Sequence, residues 1–350
     1  MNRVGTIIIF LMFFVGSTAK AQFNPSAIRF YNQGLTHEAN KQFDEALASY
    51  DKAISIDSRF VDAYYNRANI RLIRGEVDLA ISDYTKAIEA DPKRGLSYYN
   101  RGVALYQKGD YAAAEKDFSK SLELIPDVAQ TLINRGNARE VQGKYDEAIA
   151  DFTRAIQLHP KIFDAYHDRG IVYQKKGEFD KALADFDIAI SLRQNFANTY
   201  LNRGAIRQQH KKDLEGAISD YNKALEIEPE NADVYLSRGT AMQAKGQINE
   251  AIADYNKAIN LNSENSDSFY SRGTAYQTQE KYKDALTDYA KAIALNPAHA
   301  AAHVNRGIIL LYLGKDAEAD KELEIGFKLD PTLKAQYQAY ILKAKKTKKN

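Results

Sequence analysis

The sequence predicts an all-α fold: an α-solenoid of nine helix hairpins closed by a C-terminal helix. Three observations predict it. A unit of 34 residues recurs along the chain. Each unit holds two stretches of helical periodicity, separated in most units by a glycine. A proline closes most units. Length alone, 350 residues, would suggest two or three domains. An array grows by stacking units and needs no single core, so that inference does not apply.

The first element stands outside the array. Met1 to Arg3 is a short basic start, Val4 to Val15 an apolar run, and Ala19-Lys20-Ala21 a small-residue cleavage site. This is the layout of a secretory signal peptide, residues 1–21, cut between Ala21 and Gln22. The apolar run is twelve residues, too short to span a bilayer comfortably. The expectation is a periplasmic or secreted protein with no stable membrane insertion after cleavage. The alternative is a membrane-tethered structural protein that keeps this segment.

A short lead, residues 22–26, precedes the array at 27–335. The units align on Asn-Arg-Gly at Asn100, Asn134, Asn202 and Asn305, with variants at Asn66, Asp168, Ser237 and Ser271 and a degenerate copy at Asn32. The small residues fall at Gly34, Ala68, Gly102, Gly136, Gly170, Gly204, Gly239, Gly273 and Gly307. One step is 35, where His210 to Asp213 lengthens a turn. In the third unit Leu96 to Lys108 and Tyr111 to Leu124 read as the helix pair. Gly75, Gly109, Gly143, Gly177, Gly246 and Gly314 mark turns that want a left-handed residue. In the second helix an alanine precedes an aromatic by four, as in Ala114 and Phe118 or Ala285 and Tyr289. That spacing puts both on one face, so the stripe is core.

These residues resemble the tetratricopeptide repeat (TPR) family, over about Ala27 to Ala335. The Asn-Arg-Gly of the first helix is a variant of its pattern. The resemblance implies a right-handed superhelix of antiparallel helix pairs with a concave groove. The first unit departs with Gln33 and Ser58, and the ninth with Leu323 and Gly326, as terminal repeats do. A capping helix is expected at 336–344, starting near 333, and then a basic disordered tail at 345–350.

The family commonly has leucine where this chain has arginine, which implies a largely buried site. Each arginine has an acid sixteen residues on: Arg67 with Asp83, Arg101 with Asp117, Arg135 with Asp151, Arg169 with Asp185, Arg238 with Asp254, Arg272 with Asp288 and Arg306 with Glu322. Arg203 and Asp220 are seventeen apart, across the insertion. A buried guanidinium requires a partner, and carboxylate offers bidentate geometry. A ladder of structural pairs is expected, with capture of an anionic ligand as the alternative.

In this family the first helix of each unit lines the groove. The resemblance places Tyr65, Tyr99, Tyr270, Gln174, Gln208, Gln243 and Gln277 there, with no lysine or arginine on the face. Capture of acidic chaperone C-termini, which uses lysines on this face, is therefore not expected. A second mode of the family holds peptide backbone on a ladder of asparagines. The matching residues are Asn66, Asn100, Asn134, Asn202 and Asn305, interrupted by Asp168, Ser237 and Ser271. An amide donates and accepts at once, as an extended chain requires. A local structural role is the competing reading.

Net charge is +2, zero without Arg3 and Lys20, and near −5 once Lys343, Lys345, Lys346, Lys348 and Lys349 are also set aside. A nucleic-acid partner is not expected from that balance. There is no cysteine. His299 and His303 share helical spacing but no carboxylate completes a metal frame. No phosphate loop or nucleophile elbow is present. No cofactor, metal or catalytic residue is expected, and the function reads as an exported protein–protein scaffold for envelope or secretion machinery.

Overall fold

The computed structural model describes residues 24–347, so the segment expected to be a signal peptide lies outside the described residues. The chain divides into two compact units, Met1–Leu192 and Arg193–Asn350. Among the described residues there are nineteen α-helices and no strand.

The first unit holds five hairpins. They are α1 (Pro25–Ala39) with α2 (Phe43–Ile56), α3 (Val61–Ile73) with α4 (Val77–Ala90), α5 (Gly95–Lys108) with α6 (Tyr111–Leu124), α7 (Ala129–Val141) with α8 (Tyr145–Leu158), and α9 (Phe163–Lys175) with α10 (Phe179–Leu192). The second unit holds four hairpins and a last helix. They are α11 (Ala197–Gln209) with α12 (Leu214–Ile227), α13 (Ala232–Ala244) with α14 (Ile248–Leu261), α15 (Ser266–Thr278) with α16 (Tyr282–Leu295), α17 (Ala300–Tyr312) with α18 (Asp316–Leu329), and then α19 (Leu333–Thr347). Within each unit a helix packs on its hairpin partner and on the next hairpin, as repeats that contact only neighbours must.

The turns follow the glycines. Gly75, Gly109, Gly143, Gly177, Gly246 and Gly314 all have φ between 74° and 88°, which an L side chain reaches only with strain. Lys41, Lys212 and Glu280 take the same conformation in the remaining turns without that freedom.

Inside each hairpin the small residue of the first helix meets the ring of the second. A Cβ on Gly102, Gly136 or Gly170 would come within 2.7–2.8 Å of Phe118, Phe152 or Phe186. The glycine is what lets the two backbones approach. Tyr50, Tyr84, Tyr221, Tyr255 and Tyr289 are buried in the same position.

The cap helix runs past its expected end at 344, through Lys345 and Lys346 to Thr347. Lysine is a good helix former, and cations in a last turn complement the helix dipole. Residues 348–350 lie outside the described residues.

Candidate functional site

Every hairpin but the first is built around a guanidinium. In Arg67, Arg101, Arg135, Arg169, Arg203, Arg238 and Arg272, Nε and Nη2 both donate to the carboxylate of the following helix, Asp83, Asp117, Asp151, Asp185, Asp220, Asp254 and Asp288, at 2.5–3.0 Å. This is the bidentate fork within one hairpin. The carboxylates are buried, 2–6% exposed.

The third nitrogen does a different job. Nη1 reaches back to the second helix of the preceding hairpin. Arg67, Arg101, Arg135 and Arg169 donate to Asp51, Thr85, Ser119 and Thr153, and Arg238 and Arg272 to Asn222 and Asn256, at 2.5–3.1 Å. One side chain therefore ties three helices together. Sixteen residues upstream mirrors sixteen downstream, a signal present in the sequence as an acceptor after every aromatic of the series but Tyr289. Arg306 has Ala290 at that place. Its contact with Glu322 is looser, 3.3 Å, and its side chain is 33% exposed. The hydrogen bonds that Arg101 donates to the Asp117 carboxylate hold its guanidinium pKa above its ordinary value, against burial. With Nε, Nη1 and Nη2 all directed at protein acceptors, these arginines present little to an anionic ligand.

The asparagines form a second ladder. Nδ2 of Asn66, Asn100 and Asn134 donates to the hydroxyl of Tyr31, Tyr65 and Tyr99, at 2.9–3.2 Å, and Asn305 does the same to Tyr270 at 3.1 Å. Asn100 also donates to Asn69, whose oxygen takes the Tyr84 hydroxyl. Each of these four asparagines lies 35 residues after its tyrosine, while Asn202 follows His167 at that distance. Where Ile133, Leu201 and Leu236 replace tyrosine, Asp168, Ser237 and Ser271 replace asparagine. That correlation was available in the sequence and explains the interruptions. Asn100, Asn134 and Asn305 are buried, while Asn66 and Asn202 are half-buried.

The glutamines belong to a third ladder, confined to the second unit. The hydroxyls of Tyr221, Tyr255 and Tyr289 donate to Oε1 of Gln208, Gln243 and Gln277 at 2.6–2.8 Å. Nε2 of Gln208 and Gln243 then donates to Thr240 and Thr274 of the next hairpin, both at 3.1 Å. Gln174 occupies the equivalent place in a hairpin whose ring is Phe186, which has no hydroxyl.

The two units differ in what the first-helix face exposes. In the first unit Tyr65, Tyr99, Ile133 and His167 are buried. In the second, Leu201, Leu236, Tyr270 and the Gln–Thr rungs are half-buried and reachable. Asp233 and Asp267 stand upstream on the same helices.

The histidine pair is engaged elsewhere. His303 Nδ1 lies 2.7 Å from Glu322 and Nε2 lies 3.2 Å from the Pro297 carbonyl. His299 caps α17 and lies 3.4 Å from Asp267. Among the described residues no cluster could hold a metal ion, and no helix is long and apolar enough to cross a membrane.

Comparison with known proteins agrees with this geometry. The tetratricopeptide repeat model matches residues 61–94, 96–128, 129–162, 163–196 and 266–299, and the TPR repeat model matches 34–72, 210–246 and 243–280. No curated protein matches the chain. A chain of the APC/C hetero-tetramer Cut9–Hcn1 is similar over 91% of this chain and 62% of its own, at 18% identity and TM-score 0.56. A tetratricopeptide repeat protein from Parabacteroides merdae is similar over 76% of this chain and 98% of its own, at 17% identity and TM-score 0.55. Pseudomonas aeruginosa pilF is similar over 63% of this chain and 97% of its own, at 19% identity and TM-score 0.54. At these identities the likeness is one of fold. The repeat matches carry the rest: this chain belongs to the tetratricopeptide repeat family, whose members are protein–protein interaction scaffolds.

Proposed function

We propose that the chain is an exported scaffold that holds extended or helical segments of partner proteins on the first-helix face of residues 193–350. The setting that fits this reading is assembly of envelope or secretion machinery. One observation carries it: the Gln–Thr rail of the second unit is accessible, polar on both donor and acceptor sides, and free of lysine and arginine.

The rail has an unfinished rung. Gln277 accepts from Tyr289, but Ile308 stands where a threonine would receive its Nε2. That amide keeps two N–H donors without a partner among the described residues. A peptide carbonyl supplies the acceptor they lack. Leu201, Leu236 and Tyr270 on the same face offer apolar contact. Many weak contacts along such a surface sum to useful affinity.

A photo-crosslinking residue at Leu236 should capture partner protein in the native compartment, and one at Lys223, on the second helix, should not. Equal capture at both places, or at neither, would count against the groove. Export is tested separately. The mass of the purified native protein should place its N-terminus at Gln22, and retention of Met1 to Ala21 would favour the tethered alternative instead.

A further inference from the structure

We propose that the open side of α19 docks the protein on an anionic phospholipid surface. α19 packs onto the end of the array through Leu333, Tyr337, Ile341 and Ala344, which share one helical stripe. The side away from that stripe is uncovered. Leu342 lies on that side and is 52% exposed, while Tyr340, at the edge of the packed stripe, is 58% exposed; both exceed any other large hydrophobic among the described residues. Two such side chains at the end of a solenoid are unusual, because capping elements are normally polar outside.

The helix is also strongly basic. It carries Lys334, Lys343, Lys345 and Lys346 and no acid, and the chain continues with Lys348 and Lys349. Lys345 lies 4.0 Å from Asp320 of α18, whereas Lys334 and Lys346 have no carboxylate partner among the described residues. An exposed leucine, Leu342, with Lys346 one turn on and Lys343 beside it, suits a helix that rests on an anionic headgroup layer.

Charge complementarity selects the occupant. All the cations are lysine, a point charge suited to a diffuse anionic surface, with none of the planar forks that single phosphates or bases favour. The body of the array is near −5, and α18 beside the cap carries Asp316, Glu318, Asp320 and Glu324. A long polyanion lying along the protein would meet that repulsion. A bilayer touched only by α19 would not. The inference stands whether or not the groove reading does.

Vesicle flotation of the full chain tests it. Binding to equimolar phosphatidylglycerol and phosphatidylcholine should exceed binding to phosphatidylcholine alone by at least ~10-fold and fall with salt. K334E/K346E should lose most of the difference. Leu342→Ser should weaken binding while keeping its salt dependence. All three side chains are exposed, and an unchanged thermal melt checks that the array stays folded. Equal binding to neutral vesicles, or variants that float like wild type, would overturn the proposal and point to residues 1–23. Binding to heparin but not to vesicles would overturn it in favour of an anionic polymer.

Discussion

Asp151 receives two arginines and Asp185 one, and that difference separates the cost of removing each. Arg135→Ala leaves Arg139 on Asp151 at 2.8 Å. Arg169→Ala leaves the Asp185 side chain, 6% exposed, without a cation. Losing one half of a buried pair costs about 3–5 kcal/mol, so Arg169→Ala should approach that range. Arg135→Ala should cost roughly half as much, because a charge-assisted bond is lost but no charge is stranded. Equal denaturation midpoints for the two would contradict this account. Glu280 shows the opposite opportunity. Its φ of 59° strains an L residue in a turn where six other units use glycine. Glu280→Gly should raise stability by about 1 kcal/mol, read as a higher melting temperature.

At the scale of the element, the helix pairs were legible and their polar couplings were only half so. The pattern in the third unit gave both helices nearly to the residue, because Gly109 and Pro126 stop them on physical grounds. It also marked Arg67 and Asp83 as companions, though not the Nη1 bond back to Asp51. The asparagines and tyrosines were placed together on the groove face from resemblance. That they bond across hairpins depends on how far one first helix is shifted against the next, which no local pattern encodes. Tyr99→Phe should expose this coupling between α5 and α7. It leaves the buried Asn134 amide without its acceptor and should cost about 1 kcal/mol, by chemical denaturation. An effect near zero would show that the amide finds another partner.

At the scale of the whole molecule, pH should act through groups spread over the array. Burial pushes the Glu115 carboxyl up, but bonds from Lys144, Arg139 and Gln142 outweigh it and hold it at about 2. A carboxylate depressed in the fold contributes stability above its unfolded range near pH 4.5, lost as pH falls toward 2. At the other extreme, burial raises the hydroxyls of Tyr84, Tyr99, Tyr221, Tyr255 and Tyr289 above their ordinary value. The folded chain keeps protons that the unfolded chain releases above about pH 10. Stability should therefore fall as pH rises past 10, with tyrosinate absorbance appearing together with loss of helical circular dichroism. Absorbance that rises while helicity persists would mean that the rings ionise in place.

The amino-acid order by itself determined the helices, their pairing and the arginine–aspartate companionship, because each follows from spacing within one 34-residue unit. Helical periodicity, a left-handed glycine and a buried charge's need for a counter-charge are local requirements. Only the tertiary structure decided which polar groups are consumed and which stay open. Asn134 ends buried against Tyr99, and Gln277 ends with its N–H donors unpaired among the described residues, although both were groove candidates of equal standing. The reason is physical: a hydrogen bond between hairpins requires the two helices to meet at one distance and register, and stacking sets that meeting.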